Sequence, residues 1–238
     1  ARWKKADMPD MLKQLRWSFV ASAIFAVVMP FLMGGWSWLA ALGMVLAAWI
    51  VTTAIYSLRV RFKATNAELP WGHRLNAIPR SFYGMHLAHI GVAVCIIGGT
   101  MVSNYMSDED VRMDIGDTVT VGGYTFRFDG VIETKGPNYT ANRGLIRVLQ
   151  DGREVMTLEP EKRVYTEQTM PMTEAAIDTG VWRDLYVSLG ERVSGGVWSV
   201  RVYHKPIVFW CWTGVILMAL GGVVALADTR YRVMVCRG

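Results

Sequence analysis

The stretch Gly84–Tyr105, "GMHLAHIGVAVCIIGGTMVSNY", contains no charged residue yet carries two histidines three positions apart, His86 and His89. A helix needs about 20 apolar residues to cross the ~30 Å hydrocarbon layer of a bilayer. Measured against that length, the chain has four candidate runs, Trp17–Met33, Trp36–Tyr56, Phe82–Val102 and Ile207–Ala227. Helices satisfy their backbone hydrogen bonds internally, so all four can lie in lipid. Trp17, Trp36, Trp38 and Trp210 fall near the ends of these runs, where amphipathic rings favour the headgroup level. Pro30 predicts a local kink in the first run, and Gly34–Gly35 a tight external turn before the second. Hydrophobic residues make up 52% of the 238-residue chain, an average that soluble domains also reach, so it is their distribution that decides the class.

Orientation follows from the basic residues. Arg2, Lys4, Lys5, Lys13 and Arg16 precede the first run; Arg59, Arg61, Lys63, Arg74 and Arg80 fill the loop after the second; Arg230, Arg232 and Arg237 lie in the tail. The long segment between the third and fourth runs is acidic on balance. Positive flanks stay in the cytoplasm, so both termini face in and the long segment faces out. The expected organisation is a cytoplasmic segment over 1–16, two spans over 17–57, a cytoplasmic loop over 58–81 and a histidine-bearing span over 82–102. A periplasmic β-rich domain over 103–205, a last span over 206–227 and a cytoplasmic tail over 228–238 complete it. This is a multi-span α-helical membrane protein with four transmembrane helices and an inserted β-rich extracytoplasmic domain. The formal charge of +5 is then a topology signal and calls for no nucleic acid. The opening "ARWKKADMPDMLKQLRW" does not read as a secretory signal, and the start at Ala1 suggests an internal fragment or a processed product.

Cys95 and Cys211 sit in apolar runs and Cys236 in the tail, so the external segment has no disulfide framework. Its pattern is short alternating runs broken by turns. "DTVTVGGYTFRFDGV" predicts a hairpin turning at Gly122–Gly123, and "GLIRVLQDGREVMTLEPEKRVY" another turning at Asp151–Gly152. "GGVWSVRVYHKP" predicts a last strand, and "MTEAAIDTGVWRDLYVSLGE" a short helix followed by a strand. A β-sandwich or small barrel fits this pattern. No Ser–His–Asp set or nucleotide-binding loop is visible in the segment. Arg127, Arg143, Arg147 and Arg183 are candidates to hold carboxylates of a ligand, with solvated strand faces as the plainer expectation.

The two histidines of the third run carry the chemical interest. At ~1.5 Å per residue His89 lies within the hydrocarbon, with His86 one turn nearer the cytoplasm. Ionisable groups at such depth usually face the bundle and mark function. A neutral imidazole is a good ligand for haem iron, and a low-dielectric site favours that neutral form. The alternative is a ring bonded to a backbone carbonyl or to a neighbouring helix. Residues three apart share one helix face, so the pair cannot bind one porphyrin from opposite sides. At most one of them ligates, and a second axial ligand comes from another helix.

The strings "MHLAHIGVAV", "VSNYMSDEDVRMDIGDTVTVGGYTFRF", "GPNYTANRG", "EKRVY", "MTEAAIDTGVWRDLYVSLGE" and "WSVRVYHKP" together resemble the C-terminal part of the CcmF family, haem lyase subunits of bacterial cytochrome c maturation. The resemblance covers essentially the whole chain. It implies a b-type haem held between two membrane histidines, haem as substrate, and covalent attachment of that haem to the CxxCH thiols of apocytochrome c. The partners it implies are the amino-terminal part of CcmF, CcmH, CcmI, haem-loaded CcmE and apocytochrome c, in a bacterial inner membrane. Carried onto "MHLAHIG", it makes His89 the axial ligand of the haem iron, with His86 the second choice. His204 stands where it could meet a haem propionate or a partner's acid, with a plain interfacial histidine as the favoured expectation. The tryptophan-rich segment, the external histidine pair and the other membrane histidine of the family have no counterpart in these residues. The chain is therefore expected to act with an amino-terminal part, and not to catalyse thioether formation alone. The competing expectation is a non-catalytic membrane scaffold whose external domain binds assembly partners.

Overall fold

Four helices and ten strands account for most of the residues described by the computed structural model, which are 8–32, 35–64, 73, 77–167, 170–193 and 196–228. The helices are α1 (Met8–Leu32), α2 (Trp38–Ala64), α3 (Arg80–Tyr105) and α4 (Val208–Leu226). Among the described residues α2, α3 and α4 are long and apolar enough to cross a membrane, whereas the apolar part of α1, Arg16–Phe31, is shorter. Their outer surfaces are apolar: Leu39, Leu42, Leu46, Val215, Ile216, Leu220 and Val223 are all exposed. In water such helices would have to bury those faces, but in lipid they need not. Pro30 lies inside α1 and is fully buried, and α1 meets α2 through an edge contact of Phe19 on Trp49. The helix α2 continues beyond the apolar run and ends on Arg61 and Lys63, cations that complement the negative end of its dipole. Gly34, Arg2, Lys4, Lys5, Arg74, Arg230, Arg232, Arg237 and Cys236, on which parts of the sequence reading rest, lie outside the described residues.

Helices α3 and α4 pack through glycines spaced by seven. A Cβ added to Gly84 would lie 2.5 Å from the Gly221 carbonyl oxygen, one on Gly91 2.7 Å from the Gly214 oxygen, and one on Gly98 2.8 Å from the Cys211 nitrogen. In return, Gly214 is closed in by Cys95 and Gly221 by Ala88. Ascending numbers on one helix meet descending numbers on the other, so the pair is antiparallel, and its contact is backbone against backbone. Small residues permit that approach in lipid, where association depends on van der Waals contact rather than on release of water. Asp228, 4% exposed just beyond α4, accepts the Ser81 backbone N–H at 3.0 Å. Its carboxylate thereby caps the positive end of α3.

The chain divides into two units, Ala1–Asn104 with Trp210–Gly238, and Tyr105–Phe209. The second is a β-sandwich. One sheet has the order β1 (Ser107–Met113), β10 (Trp198–Pro206), β9 (Arg183–Arg192), β8 (Ala176–Thr179). The other has the order β2 (Thr118–Val121), β3 (Tyr124–Lys135), β4 (Tyr139–Gln150), β6 (Glu161–Tyr165), β7 (Met172–Glu174), with β5 (Arg153–Leu158) also paired to β4. Every pairing is antiparallel. Alternate residues point inward, so Phe126, Phe128, Ile146 and Val148 of one sheet meet Leu185, Val187, Leu189, Val200 and Val202 of the other. All nine are at most 1% exposed.

Both hairpins turn where the sequence predicts. Gly122 and Gly123 have φ of 59° and 82°, and Asp151 and Gly152 have 51° and 76°. Positive φ at both central residues is the twist-compatible hairpin turn, which glycine allows at little cost. The short helix expected in "MTEAAIDTGVWRDLYVSLGE" does not form. Those residues make β7, β8 and β9, because Ala176 pairs with Val187 and packs against the sandwich core. Tertiary burial overrides the helix preference of Glu174, Ala175 and Ala176.

Candidate functional site

Helix α3 carries His86 and His89 on one face. They share a cavity of about 180 Å³ with Ile50, Thr53, Ala54 and Ser57 of α2. The Thr53 hydroxyl is satisfied within its own helix, donating to the Trp49 carbonyl at 2.6 Å.

Each imidazole is oriented by its own helix. His86 Nδ1 lies 2.9 Å from the Phe82 carbonyl oxygen, and His89 Nδ1 lies 2.7 Å from that of Met85. A carbonyl only accepts, so in both rings Nδ1 carries a proton, and in the neutral form Nε2 keeps its lone pair. That tautomer is the one a metal-bound imidazole adopts when its other nitrogen donates to a carbonyl. The rings differ in access. His86 is 8% exposed and lies against Phe82, with ring centroids 4.2 Å apart, whereas His89 is exposed. A cavity of this size is below the roughly 300–1,000 Å³ typical of small-molecule sites. A porphyrin is thus too large to lie inside it and would meet the exposed ring. The exposed His89 ring is the more accessible of the two to such a group, and the buried His86 ring the less. Among the described residues no three His, Cys, Asp or Glu side chains gather for a metal ion, so either histidine would act as a single ligand.

The arginines named from the sequence already hold carboxylates of the sandwich. Arg127 and Arg147 each reach Asp129 at 2.8 Å, Arg147 also meets Glu154 at 3.4 Å, and Arg143 pairs with Glu161 at 2.6 Å and Glu159 at 3.3 Å. Arg183 pairs with Asp178 and donates to the Tyr124 hydroxyl at 3.2 Å. All four therefore pair within the sandwich, and Arg183, with its side chain 19% exposed, is not on a freely solvated face. Glu161 is the most enclosed of the described acids in the sandwich, held also by Arg163 at 2.7 Å. Burial alone pushes its carboxyl up, but hydrogen bonds from Arg163 and Arg143 outweigh that and hold it below the usual glutamate value. The His204 ring stacks on Tyr124 with centroids 6.0 Å apart, and lies where a Gly122 side chain would go. Burial, then the charge of Arg183, lowers its pKa.

Sequence reasoning found the histidine face but missed the glycine contact that fixes α3 on α4. The signal was present as Gly84, Gly91 and Gly98 matched by Gly214 and Gly221.

Fold and site together define a membrane-type helical protein with an antiparallel β-sandwich inserted between its last two apolar helices, and with two histidines on one face of the first of these. Residues 104–206 match the family model described as the CcmF C-terminal beta-sandwich. The chain is 45% identical over 236 residues to the cytochrome c-type biogenesis protein CcmF of Pseudomonas aeruginosa, which covers 98% of this chain and 35% of the relative. To CcmF of Escherichia coli it is 38% identical over 233 residues, 97% of this chain and 34% of the relative. A solved structure described as the cytochrome c heme lyase CcmF superposes on 96% of the chain, and on 36% of its own, with a TM-score of 0.72 at 19% identity. The chain belongs to the CcmF family and corresponds to its C-terminal portion, spanning about a third of the length of the curated relatives it matches.

Proposed function

We propose that this chain is the C-terminal part of a haem lyase of cytochrome c maturation and supplies His89 as one axial ligand of a b-type haem within the membrane. The observation that carries this reading is the exposed His89 ring, with Nδ1 tied to the Met85 carbonyl and Nε2 left as an acceptor, in a chain matching cytochrome c-type biogenesis proteins over 98% of its length. The carbonyl bond orients the ring and strengthens Nε2 as a donor to iron. Bound haem supplies one-electron chemistry; the residues of this chain supply orientation and a dry, apolar surround. The other axial ligand, the surface for haem-loaded CcmE and the contacts to CcmH, CcmI and apocytochrome c then involve the rest of the protein.

In this reading α1 is a fourth span, the basic flanks hold both termini in the cytoplasm, and the sandwich is periplasmic. Co-expression with the amino-terminal part is expected to give a low-spin bis-histidine haem spectrum that His89→Ala abolishes and His86→Ala retains. The reverse pattern moves the ligand to His86; retention in both single variants refutes a haem ligand on this helix.

One observation favours a second reading. Both rings already satisfy a donor within their own helix, which is what packing histidines of a non-catalytic scaffold would do. That scaffold predicts wild-type cytochrome c assembly in the His86→Ala/His89→Ala double variant.

A further inference from the structure

The turn between β8 and β9 exposes Val181 at 50% and Trp182 at 71%. Its place in the sandwich is fixed by the backbone: the Ile207 N–H donates to the Trp182 carbonyl at 3.0 Å. Ile207 lies between the end of β10 at Pro206 and the start of α4 at Val208. The antiparallel register sets Pro206 against Arg183 and Lys205 against Asp184, and on the other side of β10 it sets Ser107 against His204. Ser107 in turn follows the end of α3 by two residues. One end of this sheet therefore holds both passages into apolar helices and the Val181–Trp182 turn. The same end carries Lys205, whose ammonium lies 5.2 Å and 5.1 Å from the ring centres of Tyr186 and Tyr203.

We infer that the Val181–Trp182 turn is a lipid anchor, seated at the headgroup level of the bilayer that α4 enters. The partner is a phospholipid surface. One backbone hydrogen bond ties the Trp182 carbonyl to Ile207, the residue that precedes the span, so the backbone of the turn lies beside the point where the apolar helix begins. Tryptophan favours that layer, because its ring is apolar while its N–H still finds polar groups. The Lys205 ammonium, held over the Tyr186 and Tyr203 rings, keeps a positive charge near this end of the sheet. Ile115 gives a matched comparison: it is also 71% exposed, but it lies beyond Met113 at the opposite end of β1.

The inference rests on the reading of α4 as a span, and the experiment separates the two. In the full chain with Cys95, Cys211 and Cys236 replaced by Ala, nitroxide labels are placed singly through Trp182→Cys, Val181→Cys, Ile115→Cys and Leu220→Cys. The chain is reconstituted in phosphatidylethanolamine–phosphatidylglycerol vesicles, and collisions with oxygen are compared with those of a water-soluble nickel complex. Oxygen is expected to dominate at 220, 182 and 181 and nickel at 115, with the oxygen-to-nickel ratio rising several-fold from 115 to 182. The label at 181 keeps Trp182 in place, so loss of the indole does not decide the result. A lipid signal at 220 with water signals at 181 and 182 overturns the anchor and leaves the turn to water or a protein partner. A water signal at 220 overturns the span, and the anchor with it.

Discussion

Gly98 and Gly99 are adjacent in α3 and should respond oppositely to alanine. A Cβ on Gly98 would come within 2.8 Å of both the nitrogen and the sulfur of Cys211, and 3.1 Å of the Trp210 carbonyl carbon, whereas one on Gly99 would meet nothing within 4 Å. Two of the three atoms facing Gly98 are backbone, which cannot rotate aside, so α3 and α4 must separate there. Overpacking of this kind costs about 1–3 kcal/mol. Replacing an interior helical glycine by alanine gains about 0.5–1 kcal/mol in conformational terms, and does so equally at both positions. That gain cancels in the comparison, so Gly98→Ala should be less stable than Gly99→Ala by about 1–3 kcal/mol, a factor of roughly five to 140 in the unfolding equilibrium. The assay is unfolding of the two variants in matched detergent micelles, followed by denaturant midpoint at unchanged slope. Equal midpoints, or a more stable Gly98→Ala, would refute the close backbone contact. Gly221 and Gly222 repeat the design on α4: Gly221 is closed in by Ala88 and Gly84, and Gly222 is open.

Other outcomes follow from the sandwich. The Glu161 carboxyl is held low in the folded state, so its contribution is present above the unfolded value near pH 4.3 and is lost as pH falls through the folded value. The melting temperature should therefore decline in acid, and decline less steeply in Glu161→Gln; parallel pH profiles would show that Glu161 is not a source of the decline. At neutral pH the same variant leaves two arginines short of a partner, and should lose up to about 3 kcal/mol by thermal or denaturant unfolding. Gly122→Ala puts a Cβ at a positive φ and into the His204 ring, which should cost about 1–2 kcal/mol. It should also shift the His204 imidazole resonances, and unchanged resonances would place that ring elsewhere.

The β-sandwich was legible where local chemistry dictates conformation. Gly122–Gly123 and Asp151–Gly152 announce their turns, since few other residues accept two successive positive φ values. It was illegible at "MTEAAID", where a helix-forming local sequence is drawn into a sheet by partners distant in the chain. The shared face of His86 and His89 followed from helix geometry. Their difference in access did not, because it depends on the Phe82 ring and on the approach of α2.

The two hydrogen bonds to Phe82 and Met85 have a consequence for ligand choice. They engage the same nitrogen, Nδ1, in both rings, so the hydrogen bonding does not distinguish the two histidines, whereas their exposure does. Under the proposal above, choice between them is then steric, set by how far each ring stands out from the packing of α2 and α3. His89 is the ring that α2 and α3 leave open, so a change that loosened their packing would bring His86 into competition with it as a ligand.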